Sequence, residues 1–144
     1  MKTLLDLANR MESLQRRIPL KASNLAADVA RAIQRNLVNV TPVDTSKALS
    51  NWVLTVEEPF DLYLDAYREG FAGSTQEASA SEALFQGEHQ LRLKKPGMPI
   101  YITNNAPYIR ALNDGSSMQE PAGFVERAVL IGRRVIEAKG MRNV

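Results

Sequence analysis

Helical periodicity at both ends of the chain, with short β-rich stretches between, predicts an α+β domain. Three observations carry this. Leu25, Val29, Ile33 and Leu37 form an unbroken four-residue stripe; "IYITNN" (100–105) is β-branched and aromatic and ends on a turn; Phe124, Ala128, Ile131 and Val135 form a second helical stripe near the end. The expected order is two N-terminal helices, a small antiparallel β-sheet interrupted by a long Gly/Ser/Ala-rich insertion, and a C-terminal helix.

The first helix is expected over 3–18, from the spacing of Leu4, Leu7, Met11, Leu14 and Ile18, with Thr3 as its cap and Pro19 as its stop or kink. The second runs from Leu20 to Asn39, with Ala22, Ala26 and Ala30 allowing close approach of another element. Residues 1–40 thus form a helical N-terminal part. Pro42 ends it, because Thr41 before it is biased away from α geometry. Asp44 or Thr45 is placed to cap a turn of one or two windings over "SKALSNW". A strand follows in "NWVLTVEE", with Trp52, Leu54 and Val56 on one face and Trp52 as core anchor.

Pro59 breaks that strand, and the alternation in "FDLYLDAY" (60–67) suggests a second, irregular one. Segment 68–97 changes character: Gly, Ser, Ala and Thr dominate, so a mobile insertion loop is expected, with a helix from Thr75 or Ser79 to about His89. After the 100–105 strand, Pro107 opens a short helix over "PYIRAL", and Gly115 supplies the positive φ that stops it. The closing helix occupies 122–139, with Gly140 as its stop.

Length and composition suit a single domain, 1–144. Apolar residues make up 44% and aromatics only 6%, so the core is expected to be mainly aliphatic. There is no cysteine, which removes disulfides, thiol nucleophiles and Cys-ligated metals from consideration. The charged N-terminus does not read as a signal peptide, and no apolar run approaches the ~18 residues of a membrane span. The net charge of +2 is mild for a phosphate-gripping protein. Its basic clusters, Arg16-Arg17, Arg92/Lys94/Lys95 and Arg133-Arg134, read first as solvated surface.

Catalytic constellations do not assemble from these residues. His89 is the only histidine and lies in a polar stretch. "GFAGSTQ" lacks the Lys of a phosphate loop. Glu57 and Glu58 point to opposite faces if the strand continues, and Asp61, Asp65 and Glu69 read as a solvated edge. No enzyme activity, cofactor or metal is expected.

Two stretches together carry a resemblance. "TPVDTSKALSNW" (41–52) and "IYITNNAPYIRALNDGSSMQEPAGFVERAV" (100–129) resemble the tail-completion, or neck-type, proteins of long-tailed bacteriophages. The matching residues are Thr41, Pro42, Val43, Asp44, Thr45, Leu49 and Trp52. In the second block they are Ile102, Asn104, Asn105, Pro107, Tyr108, Leu112, Asn113, Gly115, Ser116, Ser117, Gln119, Pro121, Gly123 and Phe124. Ser46 stands where the family pattern has Gly.

The resemblance implies a structural virion protein made in the host cytoplasm. It would complete the tail and join it to the head, within a six-fold ring around the DNA path. Its partners would be further copies of itself and other neck or tail proteins, with non-specific DNA contact in the lumen and no membrane. Phe71, Phe85, Tyr108, Asn113, Ser117 and Gln119 are the expected subunit contacts, core packing being the stronger reading for Tyr108. Pro42, Asp44, Thr45, Trp52, Asn104, Pro107, Gly115, Pro121 and Gly123 are expected to set structural corners. A DNA-binding virion protein and a virion-borne enzyme are the alternatives.

Overall fold

The computed structural model describes residues 3–140. In order these form α1 (Leu4–Val40), α2 (Lys47–Ser50), β1 (Val53–Val56), α3 (Gln76–Leu91), β2 (Ile100–Thr103), α4 (Ile109–Asn113) and α5 (Phe124–Lys139). The architecture is α+β, with β1 and β2 paired antiparallel, Val53 opposite Thr103 and Val56 opposite Ile100.

The two expected N-terminal helices are one. α1 runs 37 residues straight through Pro19. Proline removes the bond to the Gln15 carbonyl, but residues 15–20 are exposed, so water can satisfy that group. The start is as expected: the Thr3 hydroxyl accepts from Asp6 N–H, and the Asp6 carboxylate accepts from Thr3 N–H in return.

α5 lies antiparallel against the second half of α1. Its first turn sits beside Asn36 and Val40, Gly132 faces Val29 and Ile33, and Lys139 pairs with Asp28 at 2.9 Å. α1 residues 4–20 extend past the end of α5.

The Gly/Ser/Ala-rich segment is not an extended loop: the helix expected within it to about His89 forms and runs on to Leu91. Sixteen of its residues form α3. Ser79, Ala80, Ala83, Gly87 and Leu91 are its buried face, so the small residues that read as linker composition are the face packed on α1, α2 and β1. Gly87 is needed for this approach: a Cβ there would stand 2.2 Å from Gln34 Oε1. Neither expected cap operates on α3. Thr75 Oγ1 instead bonds Ser46 Oγ at 2.9 Å, and Ser79 Oγ bonds both N–H and carbonyl of Arg68.

The expected strand over 60–67 is also absent; residues 57–75 carry no helix or strand. β1 ends where Glu57 takes φ 73°, and Pro59 has no N–H to offer a ladder. Side-chain amides hold this segment instead. Asn51 Nδ2 donates to Leu64 O and its Oδ1 accepts from Leu64 N–H. Asn105 Nδ2 donates to the carbonyls of Phe60 and Leu62.

The core joins Leu37, Val38, Val43, Leu49, Trp52, Phe124 and Ala128, with Ala80 and Ala83 of α3. It is aliphatic around one Trp and one Phe, in keeping with the composition.

Candidate functional site

The two stretches that carry the phage resemblance meet in space. Residues 42–45, Lys47 and Ala48 form one wall of a surface cleft of about 300 Å³, and Tyr108, Leu112, Ser117 and Gln119 form the other. The first wall is set by the corner between α1 and β1. Thr41, Pro42 and Val43 are buried. Thr41 Oγ1 donates to Leu37 O at 2.5 Å and accepts from Trp52 Nε1 at 2.8 Å. This hydroxyl ties the helix end to the core tryptophan, 11 residues on.

Ser46 takes φ 69°, the left-handed conformation that suits glycine, and its side chain does not cap α2. A serine at a position of positive φ costs ~1–2 kcal/mol. Its hydroxyl is buried against Thr75, which gives the serine a compensating bond.

Asp44 is not the expected cap of α2. Its carboxylate accepts from Ala72 N–H and its carbonyl from Gly73 N–H, each at 2.8 Å, so it clasps the 70s segment instead.

The late loop reaches back with one side chain. Gln119 Oε1 accepts from Val43 N–H at 2.8 Å, and its Nε2 donates to Val43 O at 3.1 Å. The primary amide takes both backbone bonds of one residue, as a neighbouring strand would. Ser117 Oγ accepts from Gln119 N–H and so shapes the loop that presents it.

Asn104 Nδ2 donates to Ala48 O at 2.9 Å and its Oδ1 accepts from Ala106 N–H, joining the end of β2 to α2. Asn113 does not line the cleft. Its Oδ1 accepts from Val125 N–H, capping α5 from a distance, and its Nδ2 donates to Glu126. That bond, with a backbone bond and nearby Arg127, lowers the Glu126 pKa. Gly123 supplies the φ of 85° from which α5 starts.

Tyr108 is not core. It is 40% exposed at the cleft mouth. Burial, and then a hydrogen bond with Tyr63, push its phenol pKa well up. Lys47 lies with its ammonium 4.4 Å from the centre of the Tyr63 ring and 3.6 Å from Asp65. Its pKa is raised, first by the hydrogen bond to Tyr63 and further by the nearby Asp65 carboxylate. No local pattern marks this Lys47–Tyr63–Tyr108–Asp65 rim, because its members come from three separate stretches.

Phe71 and Phe85 lie apart from the cleft, Phe71 in the 57–75 segment and Phe85 on α3; both are largely exposed. Pro107 precedes α4 in an exposed turn rather than opening it, since the helix begins at Ile109 with Tyr108 as its cap residue. Gly115, φ 96°, follows α4 as expected, and the Pro121 carbonyl accepts from Arg127.

The polar groups here are spent on structure. Among the described residues, every buried side-chain nitrogen and oxygen has a partner. No group of three or more His, Cys, Asp or Glu among them is placed to hold a metal ion. His89 is exposed on α3. The Arg92/Lys94/Lys95 cluster is divided, as Lys94 Nζ turns inward onto Ser23 Oγ at 2.9 Å. No described helix is long and apolar enough to cross a membrane. Comparison with protein-family models, curated proteins and solved structures gives no match.

Proposed function

We propose that this chain is a non-enzymatic assembly subunit of the neck or tail of a long-tailed phage. It completes the tail and joins it to the head as one member of a ring around the DNA path. One observation carries the reading. The two motif blocks, 76 residues apart at Val43 and Gln119, are folded against each other, and their polar groups are consumed in fixing that geometry.

A catalytic site leaves reactive groups converging on a pocket. Here the converging groups are amides and hydroxyls bonded to backbone, which is what a rigid scaffold presenting contact loops requires. The cleft rim, with Tyr108, Lys47, Ser117 and the fully exposed Met118, is the surface such a scaffold offers to a neighbour.

Electron microscopy of lysates from the parent phage with this gene disrupted tests the reading. Separate full heads and free or aberrant tails are expected. Joined particles of normal shape would refute it.

A further inference from the structure

The first half of α1 carries an apolar seam that is largely exposed among the described residues, with only Leu14 half-buried. Leu4, Leu7, Met11, Leu14 and Ile18 recur at alternating three- and four-residue steps, the 3.5-residue period of a helix seam. Leu4 is 85% exposed and Met11 61%. The rest of the chain carries the complement. An apolar groove of about 540 Å³ runs between α1, α5 and β2, lined by Val29, Ile33, Ile100, Ile102, Val129 and Ile136 among others. Val129 and Ile136 stand about half exposed in it.

The arm cannot fill its own groove. α1 is one unbroken helix, and the groove lies further along that same helix, at Ala26–Leu37. Lengths match between copies. At 1.5 Å per residue the seam from Leu4 to Ile18 spans about 21 Å and the groove from Ala26 to Leu37 about 17 Å.

We propose that the arm of one copy, residues 4–18, docks in the α1/α5/β2 groove of a second copy. The two surfaces are unlike, so the contact is head-to-tail, and such contacts propagate until rotation closes them into a ring. At roughly 100 Å² of apolar surface per large aliphatic side chain, each side contributes roughly 300–500 Å². That falls short of the ~800 Å² per partner of a standard stable interface. Each subunit in a closed ring gives one arm and receives another, which doubles the buried surface, so isolated dimers are weak and closed rings are favoured. Ring closure rests on the assembly reading above; the arm-in-groove contact does not.

The cysteine-free sequence makes the test clean, since only introduced thiols react. Met11→Cys and Val129→Cys are purified separately, the second with a mass tag, then mixed near millimolar concentration with a short bis-maleimide. Both sites are exposed, and Trp52 fluorescence checks that each variant is folded. Arm-to-groove heterodimers are expected in the mixture, with at least a tenfold loss of yield when Leu7→Glu is added to the arm variant. Met11→Cys homodimers as the dominant product would mean that arms pair with arms and would overturn the proposal. So would the absence of any cross-link. Disruption of the gene in the phage reads out the neck assignment separately, whichever way the cross-linking falls.

Discussion

The Trp52 indole N–H ends on the Thr41 hydroxyl at 2.8 Å, and that hydroxyl passes its own hydrogen to the Leu37 carbonyl in the last turn of α1. One oxygen therefore closes the helix and orients the core tryptophan. Thr41→Val keeps the shape and removes both bonds, leaving the indole N–H buried and unpaired. The expected loss is about 1–3 kcal/mol. Urea unfolding followed by Trp52 fluorescence measures it, with a native emission maximum shifted from wild type because the indole has lost its partner.

Gly87 and Gln34 are coupled in the same way across α1 and α3. Gln34 is 2% exposed and donates to the carbonyls of Trp52 and Ala83, while its Oε1 occupies the space a Cβ at 87 would need. Gly87→Ala gains up to ~1 kcal/mol of helix propensity but displaces a buried, bonded amide, at a cost of ~1–3 kcal/mol. The net expectation is destabilisation. In a double-mutant cycle, Gly87→Ala should be less harmful, or stabilising, on a Gln34→Ala background; simple additivity would show that the contact is not the cause.

Ser46 separates backbone strain from hydrogen bonding. Ser46→Ala retains the left-handed φ and loses the Thr75 bond, so it is expected to cost about 1–2 kcal/mol. Ser46→Gly loses the same bond but relieves ~1–2 kcal/mol of strain, so it should be near neutral. Thermal unfolding of the two variants side by side decides it; equal losses would mean the serine is not strained.

Glu88 sets an acid-side pH dependence. Its two oxygens accept from Arg31 Nε at 2.9 Å, and that hydrogen bond holds its pKa below the usual 4.5. A lowered folded-state pKa means the pair contributes above the unfolded value and is lost as pH falls through the folded one. Both side chains are about 40% exposed, so the effect is ~1 kcal/mol or less. Stability measured by urea from about pH 6 to about pH 3 should fall less steeply in Glu88→Gln than in wild type. Parallel curves would remove the pair from the account.

What the sequence made legible was what periodicity and turn chemistry encode. The Thr3 cap, the α1 stripe, both strands of the sheet and the start and stop of α5 follow from local patterns. Three features did not. Pro19 reads as a stop, yet an exposed turn can spare one backbone bond. A helix to about His89 is legible, but its caps and its packing are not: Ser79, Ala80, Ala83 and Gly87 have the composition of a flexible loop, which is also that of a helix face built for close approach. The 60–67 stretch reads as a strand by alternation, but its backbone is held by the Asn51 and Asn105 side chains at Phe60, Leu62 and Leu64, and no local pattern announces a distant amide. The 41–52 stretch reads as a turn between helix and strand from its own residues; that Gln119 seats on Val43 does not, since pairing across 76 residues leaves no mark in either stretch.

The unbroken α1 spans two environments, and this bears on how the protein melts. Residues 21–40 are held by the core, whereas 4–20 rely on helix propensity, the Thr3 cap and the Arg16–Glu12 pair at 2.9 Å. Short helices without tertiary support are marginal in water. In the isolated subunit, helical circular dichroism should therefore decline before Trp52 fluorescence reports loss of the core. The two probes should converge once the arm is seated in a neighbour, so their separation becomes a gauge of assembly.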